Sequence, residues 1–248
     1  LAGGLALGFS WQYISSQIAT RGRSHNLLDY TVPIVSVYEG KKVNQAYQEA
    51  YAEMDIADLW LPYFCISSNL TRAKMMVHEH GSMWRAVRAS TCYPGIWSPI
   101  QNEAGDWLVD GCMLNNWPVD VMREKIGSGT IIASTVSMEV EFNEDFEIGD
   151  SVSGFKLLAQ RFVPWRKKRQ RLPRLTTTVI RAMELSAIQS YRDQEALADV
   201  VVKPDVSKFS VLHFDRFSEI IAVGYAEMQR VLAQPDTISR LSLGIEGD

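Results

Sequence analysis

Nothing limits the fold of this chain more than the alternation of strand-like and helical runs through its first 137 residues. The run Tyr63-Phe-Cys-Ile-Ser-Ser-Asn69 mixes β-branched and aromatic residues, and Lys74 to His78 follows a few residues later. Such neighbours predict an antiparallel strand pair. Ser82 is placed to cap a helix reaching about Thr91, with Trp84, Val87 and Thr91 on one face and Arg85 and Arg88 off it. Asp106 to Asp110 reads as a further strand. Pro118 then opens a helix over Val119 to Lys125, since the N–H that proline lacks would be unpaired in a first turn anyway. Thr130 to Val136 is apolar on both faces, as in a sheet with helices packed outside it. The pattern predicts an α/β fold.

Ahead of these elements, Leu1, Leu5 and Phe9 with small residues between them predict a helix through about Tyr13, already under way at the first residue. A start at Leu1 without methionine is expected for a piece of a longer protein. The polar stretch Ser15 to Asn26 then connects to Tyr30-Thr-Val-Pro-Ile-Val-Ser36, and a second helix is expected from about Val43 to Met54.

Composition changes after Val136. Glu139, Glu141, Glu144, Asp145, Glu147 and Asp150 form an acidic stretch, and a basic run follows. This places a boundary that divides the chain into residues 1–137 and 138–248. Beyond it, helices are expected over about Val179 to Tyr191 and Asp215 to Leu232, with a strand at Asp199 to Val202.

The net charge of −4 gives no bulk attraction to nucleic acid, and no nucleic-acid partner is expected. Cys65, Cys92 and Cys112 are odd in number and lack metal-binding spacing, which suits a reduced, intracellular compartment and no metal site. No apolar run approaches the ~20 residues of a membrane-spanning helix. Phe155, Leu158 and Phe162 fall at helical spacing, beside Trp165 and the cations Arg166, Lys167, Lys168, Arg169 and Arg171. That combination fits either a membrane-surface anchor or a solvated surface helix and loop.

The segment with most chemistry is Leu108-Val-Asp-Gly-Cys-Met-Leu-Asn-Asn-Trp-Pro-Val-Asp120. Asp110 stands at a strand end, where active groups of α/β sheets gather, and Gly111 beside it can take a positive φ. A buried carboxylate there acquires a pKa closer to that of a general base. An Asp-Gly pair is equally the signature of a plain turn, so the pair alone leaves turn and base both open.

Asp110-Gly-Cys-Met-Leu-Asn-Asn-Trp-Pro118 resembles the Asp-Gly-Gly/Ala and Asn-Asn-x-Pro motif of the patatin-like phospholipases. Ile56-Ala-Asp-Leu-Trp-Leu-Pro-Tyr-Phe-Cys65, Asn69-Leu-Thr-Arg72, Trp84-Arg-Ala-Val-Arg-Ala-Ser90 and Tyr93-Pro-Gly95 resemble the neuropathy target esterase branch of that family. So do Gly149-Asp-Ser-Val-Ser-Gly154, Pro164-Trp165, Phe214-Asp-Arg-Phe217 and Val223-Gly-Tyr225. The resemblance implies a three-layer α/β sandwich with a central, mostly parallel sheet, followed by a mainly helical C-terminal extension. It also implies a lysophospholipase or phospholipase that works through a Ser/Asp dyad without cofactor, with Asp110 matching the aspartate.

Two departures stand out. Cys112 occupies the third motif position, and no Gly-x-Ser-x-Gly occurs, Gly8-Phe-Ser-Trp-Gln12 failing at its last residue. The serine is expected upstream of Leu1, and these residues alone are expected to be inactive. The alternative is a catalytically inactive lipid-binding or regulatory module. Nothing in the sequence brings His25, His78, His80 or His213 to the aspartate, and buried, inert thiols are expected of Cys65 and Cys92.

Overall fold

The structure, a computed structural model, describes residues 2–23, 28–136, 151–154, 178–179, 181–182, 185, 191, 193–209 and 216–243. The acidic stretch, the basic run and the residues expected to anchor it lie outside these, as do His25 and His213 and most of the helix expected over 179–191.

The expected first helix is two helices. α1 spans Ala2–Ala6 and ends where Gly8 turns to φ 79°, a left-handed value that favours glycine. Ser10 then accepts from the Tyr13 N–H at 3.3 Å and starts α2, Trp11–Arg23. The polar residues expected to form a connection are helical, and Ser15, Ser16 and Thr20 turn their hydroxyls back onto carbonyls of the preceding turn, at 2.7–2.9 Å, which satisfies them within the helix. α3, Lys41–Tyr51, follows close to the expected place.

A four-stranded sheet forms the centre, in the order β2-β1-β4-β3, from β1 (Cys65–Asn69), β2 (Lys74–His78), β3 (Ile100–Gln101) and β4 (Trp107–Asp110). All of its pairings are antiparallel, which corrects the expectation of a mostly parallel central sheet. For two of the three pairings the connections decide this. β1 and β2 are joined by residues 70–73, and β3 and β4 by residues 102–106, far short of the dozen or so that a parallel crossover requires. α4, Met83–Ser90, packs on β1 and β4 through Met83, Ala86 and Ala89, all buried.

α5, Val119–Ile126, leads to β5, Ile132–Ser134, which pairs in parallel with β6, Val200–Val202. The long intervening chain permits the parallel arrangement. The boundary expected at 137/138 falls between these two strands. Trp117, Val119, Ile131 and Ala133 before it share one apolar cluster with Tyr191, Ala198 and Val201 after it. A second cluster joins Val200 and Val202 to Val231, Met228 and Leu241 of α6, Phe217–Leu232, and α7, Pro235–Leu243. α7 has no counterpart in the expected pattern. Among the described residues no helix is long and apolar enough to cross a membrane.

Candidate active site around Asp110

β4 ends at Asp110, which is held from both sides. Its own N–H donates to the Cys92 carbonyl at 2.9 Å, and its side chain accepts the Cys112 N–H, also at 2.9 Å. The residue is only 9% exposed, and burial pushes its pKa up to about 6, against a smaller opposing pull from the hydrogen bonds of Cys112. The strand end thus carries a carboxylate able to hold and release a proton near neutrality.

Gly111 is needed here, but not for a positive φ, which it does not adopt. A Cβ at this position would sit 2.6 Å from the Ile66 carbonyl oxygen and 3.0 Å from Ile66 Cγ2. Close packing of the turn on β1 is what excludes a side chain.

Directly across the sheet from Asp110, on the same face, stands Ser67, fully buried. Its hydroxyl lies 2.7 Å from His78 Nε2. Burial lowers the pKa of His78, so a neutral imidazole pairs with a hydroxyl that substrate cannot reach. The sequence reading missed this pair. Only the β1–β2 hairpin register, which sets His78 diagonal to Ser67, brings the two together.

Arg88 is also placed differently from expectation. It is 2% exposed and donates to Asn44 Oδ1 at 2.7 Å and to the Ser98 carbonyl at 3.0 Å. It ties α3 and the loop before β3 to α4. The three thiols are all pushed up by burial, Cys65 to about 11, so none is an ionised nucleophile near neutral pH.

The Asn-Asn-x-Pro segment fastens the loop after Asp110 to the C-terminal part of the chain. Asn115 Nδ2 donates to Asp120 at 2.8 Å, while its buried Oδ1 has no hydrogen-bond partner among the described residues. Asn116 Nδ2 donates to the Tyr191 hydroxyl at 2.9 Å, and the Asp120 N–H to Gln194 Oε1 at 2.8 Å. Trp117 and Tyr191 pack with ring centres 5.4 Å apart.

No family model matches the chain. Curated relatives do, and they show that it belongs to the patatin-like phospholipase domain proteins and neuropathy target esterases. It is 33% identical over 208 residues to the mouse patatin-like phospholipase domain-containing protein 6, an alignment covering 80% of this chain and 15% of that protein. With the Candida glabrata lysophospholipase NTE1 it shares 31% over 209 residues, 84% of this chain and 12% of the relative. With the Drosophila melanogaster neuropathy target esterase sws it shares 31% over 204 residues, 80% and 14% of the two. The chain therefore spans only 12–15% of the length of these proteins.

Proposed function

We propose that this chain supplies the general base of a serine lipid hydrolase of the lysophospholipase or phospholipase type. The observation that carries the reading is the buried carboxyl of Asp110, held at a strand end with its pKa raised to about 6. In the intact protein Asp110 takes the proton of a serine hydroxyl supplied by the chain preceding Leu1. The serine oxygen bonds to the ester carbonyl carbon, the carbonyl–alkoxy bond breaks, and the proton passes to the leaving alcohol. Water, deprotonated by the same carboxylate, then cleaves the acyl-enzyme. Neither metal nor cofactor takes part, and Gly111 and Cys112 hold the turn.

The family names of the relatives support a lipid ester as substrate. Residues 1–137 are read as part of a three-layer hydrolase domain and residues 138–248 as an extension, and the β5–β6 pairing supports treating the two as one working unit. The protein is read as intracellular and membrane-associated, with the cations at 166–169 and 171 meeting an anionic lipid surface.

Asp110→Asn in the full-length protein tests this. Turnover of lysophosphatidylcholine is expected to fall about 10²-fold or more with the fold unchanged. Near-normal turnover would remove Asp110 from the mechanism.

A further inference from the structure

We propose that residues 30–35 are a membrane-insertion loop, whose apolar tip enters an anionic phospholipid surface and fixes the Asp110 strand end relative to it. The inference deepens the reading of the protein as membrane-associated and rests on it.

No residue from Tyr30 to Tyr38 carries a charge. Residues 30–35 are all exposed, with Val32, Ile34 and Val35 at 72%, 86% and 64%. A contiguous apolar tip of this kind marks an interaction surface. The tip is also well held. The Thr31 N–H donates to the Val37 carbonyl at 3.1 Å and the Ile34 N–H to the Val32 carbonyl at 2.8 Å. At the base, Asp29 accepts the Gly40 N–H through Oδ1 and the Lys42 N–H through Oδ2, each at 3.0 Å, which closes the loop on the start of α3. Tyr30 packs on Tyr38 and Tyr38 on Trp97, with ring centres 4.8 and 5.9 Å apart. A loop already ordered gives up little conformational freedom on binding.

The chemistry below the tip suits lipid. Tyr30, itself 75% exposed, has the apolar ring and polar end of a side chain that settles at headgroup level. Lys41 and Lys42 are exposed, and among the described residues neither enters an ion pair. Asp29 sits on the N-terminus of α3, where it balances the helix dipole. Within residues 29–42 that leaves Glu39 against the two lysines. The positive excess complements anionic headgroups, while the uncharged tip fits the boundary with the acyl chains. The loop is also joined to the candidate site. The Val37 and Tyr38 N–H groups donate to the Gly95 and Ile96 carbonyls at 2.9 and 2.8 Å, and Ser98 Oγ donates to the Glu39 carbonyl at 2.7 Å. Residues 95–98 follow closely on Cys92, whose carbonyl accepts the Asp110 N–H. A bilayer that holds the tip is thereby placed relative to the strand end carrying Asp110.

Vesicles of equimolar phosphatidylcholine and phosphatidylserine test the proposal on the 248-residue chain. Val32→Ser/Ile34→Ser/Val35→Ser should weaken partition by about tenfold or more, whereas Val32→Leu/Ile34→Leu/Val35→Leu should bind like the native chain. A second readout removes no apolar group. Ile34→Trp should add emission, beyond that of the native tryptophans, that shifts to the blue with vesicles and is quenched by phosphatidylcholine brominated on its acyl chains. Partition left unchanged by the serine substitutions, or Ile34→Trp emission that the bromines do not quench, overturns the proposal and leaves the tip to a protein partner. Equal losses in the serine and leucine variants overturn it as well, because a lipid surface responds to apolarity and not to side-chain shape. A native chain that stays off the vesicles overturns the membrane reading itself, an outcome distinct from native binding that the serine variant retains. None of these substitutions alters Asp110 or the cations at 166–169 and 171, so the base and the basic run stand or fall on their own variants.

Discussion

The burial of the Asp110 carboxyl works against the stability of its own fold. In the unfolded chain it titrates near the ordinary carboxylate value of 3.8, and in the folded chain near 6. Between these values the folded chain binds more protons, so stability falls as pH rises through about 4 to 6, and above the folded pKa the whole penalty remains. A shift of about two units corresponds to up to about 3 kcal/mol. Asparagine keeps an oxygen for the Cys112 N–H but carries no charge to desolvate. Asp110→Asn is therefore expected to stabilise the chain by up to about 3 kcal/mol at pH 8 and by almost nothing at pH 4. Urea denaturation of the two proteins at both pH values checks this, and an equal difference at pH 4 and pH 8 would contradict the buried-charge account. The place of Asp110 at a buried strand end was legible in the sequence because a strand run, a carboxylate, a glycine and a helix start follow one another without interruption, while its reading as a base rested on the family resemblance. The reason for Gly111 was not, since its constraint comes from Ile66 on another strand. Arg88 was misread for a similar reason, because the acceptors that let a guanidinium be buried lie on α3 and the loop before β3.

The elements best anticipated were those whose signals are local: the β1–β2 hairpin, α4 after Ser82, and α5 after Pro118. Sheet direction was local only for β1 and β2, whose closeness in the chain predicts the antiparallel pair. The family resemblance suggested parallel strands, whereas the short β1–β2 and β3–β4 connections enforce antiparallel pairing, and β1 and β4, distant in the chain, also pair antiparallel. The parallel pair, β5 and β6, is held by a polar knot that periodicity cannot reveal. Asp199 Oδ2 accepts the Ile131 N–H at 2.8 Å and Arg123 Nη2 at 2.7 Å, while Arg123 also donates to the Gly129 and Leu197 carbonyls at 2.7 and 2.9 Å. The backbone N–H groups of Asp199 and Val200 in turn donate to the Ile131 carbonyl at 3.0 and 3.1 Å. Removing the carboxylate strands one backbone donor and part of a guanidinium at the start of the pairing. Asp199→Ala is expected to destabilise by about 1–3 kcal/mol, and Asp199→Asn, which keeps the Ile131 acceptor, by less. Urea midpoints rank the two variants, and equal losses would show that the backbone contact to Ile131 contributes nothing.

At the scale of the whole molecule the net charge of −4 hides a strong asymmetry, because Arg166, Lys167, Lys168, Arg169 and Arg171 crowd into six positions. A membrane surface responds to local charge, since its potential fades within a Debye length of about 8 Å at physiological salt. If the five cations meet the lipid, acidic residues farther away than that are screened from it. Each cation near an anionic surface contributes up to about 1 kcal/mol, enough together to outweigh the overall negative charge. Phe155, Leu158, Phe162 and Trp165 would add apolar burial if they also meet the lipid, and that part of the binding would persist in salt. The expected outcome is that the chain sediments with phosphatidylserine liposomes at low salt, and that replacing the five cations by glutamine abolishes most of this binding. Raising the salt separates the two contributions, because purely electrostatic attachment disappears while attachment through the four apolar residues survives. Equal sedimentation of the native chain and the glutamine variant at low salt would reduce the basic run to an ordinary solvated segment.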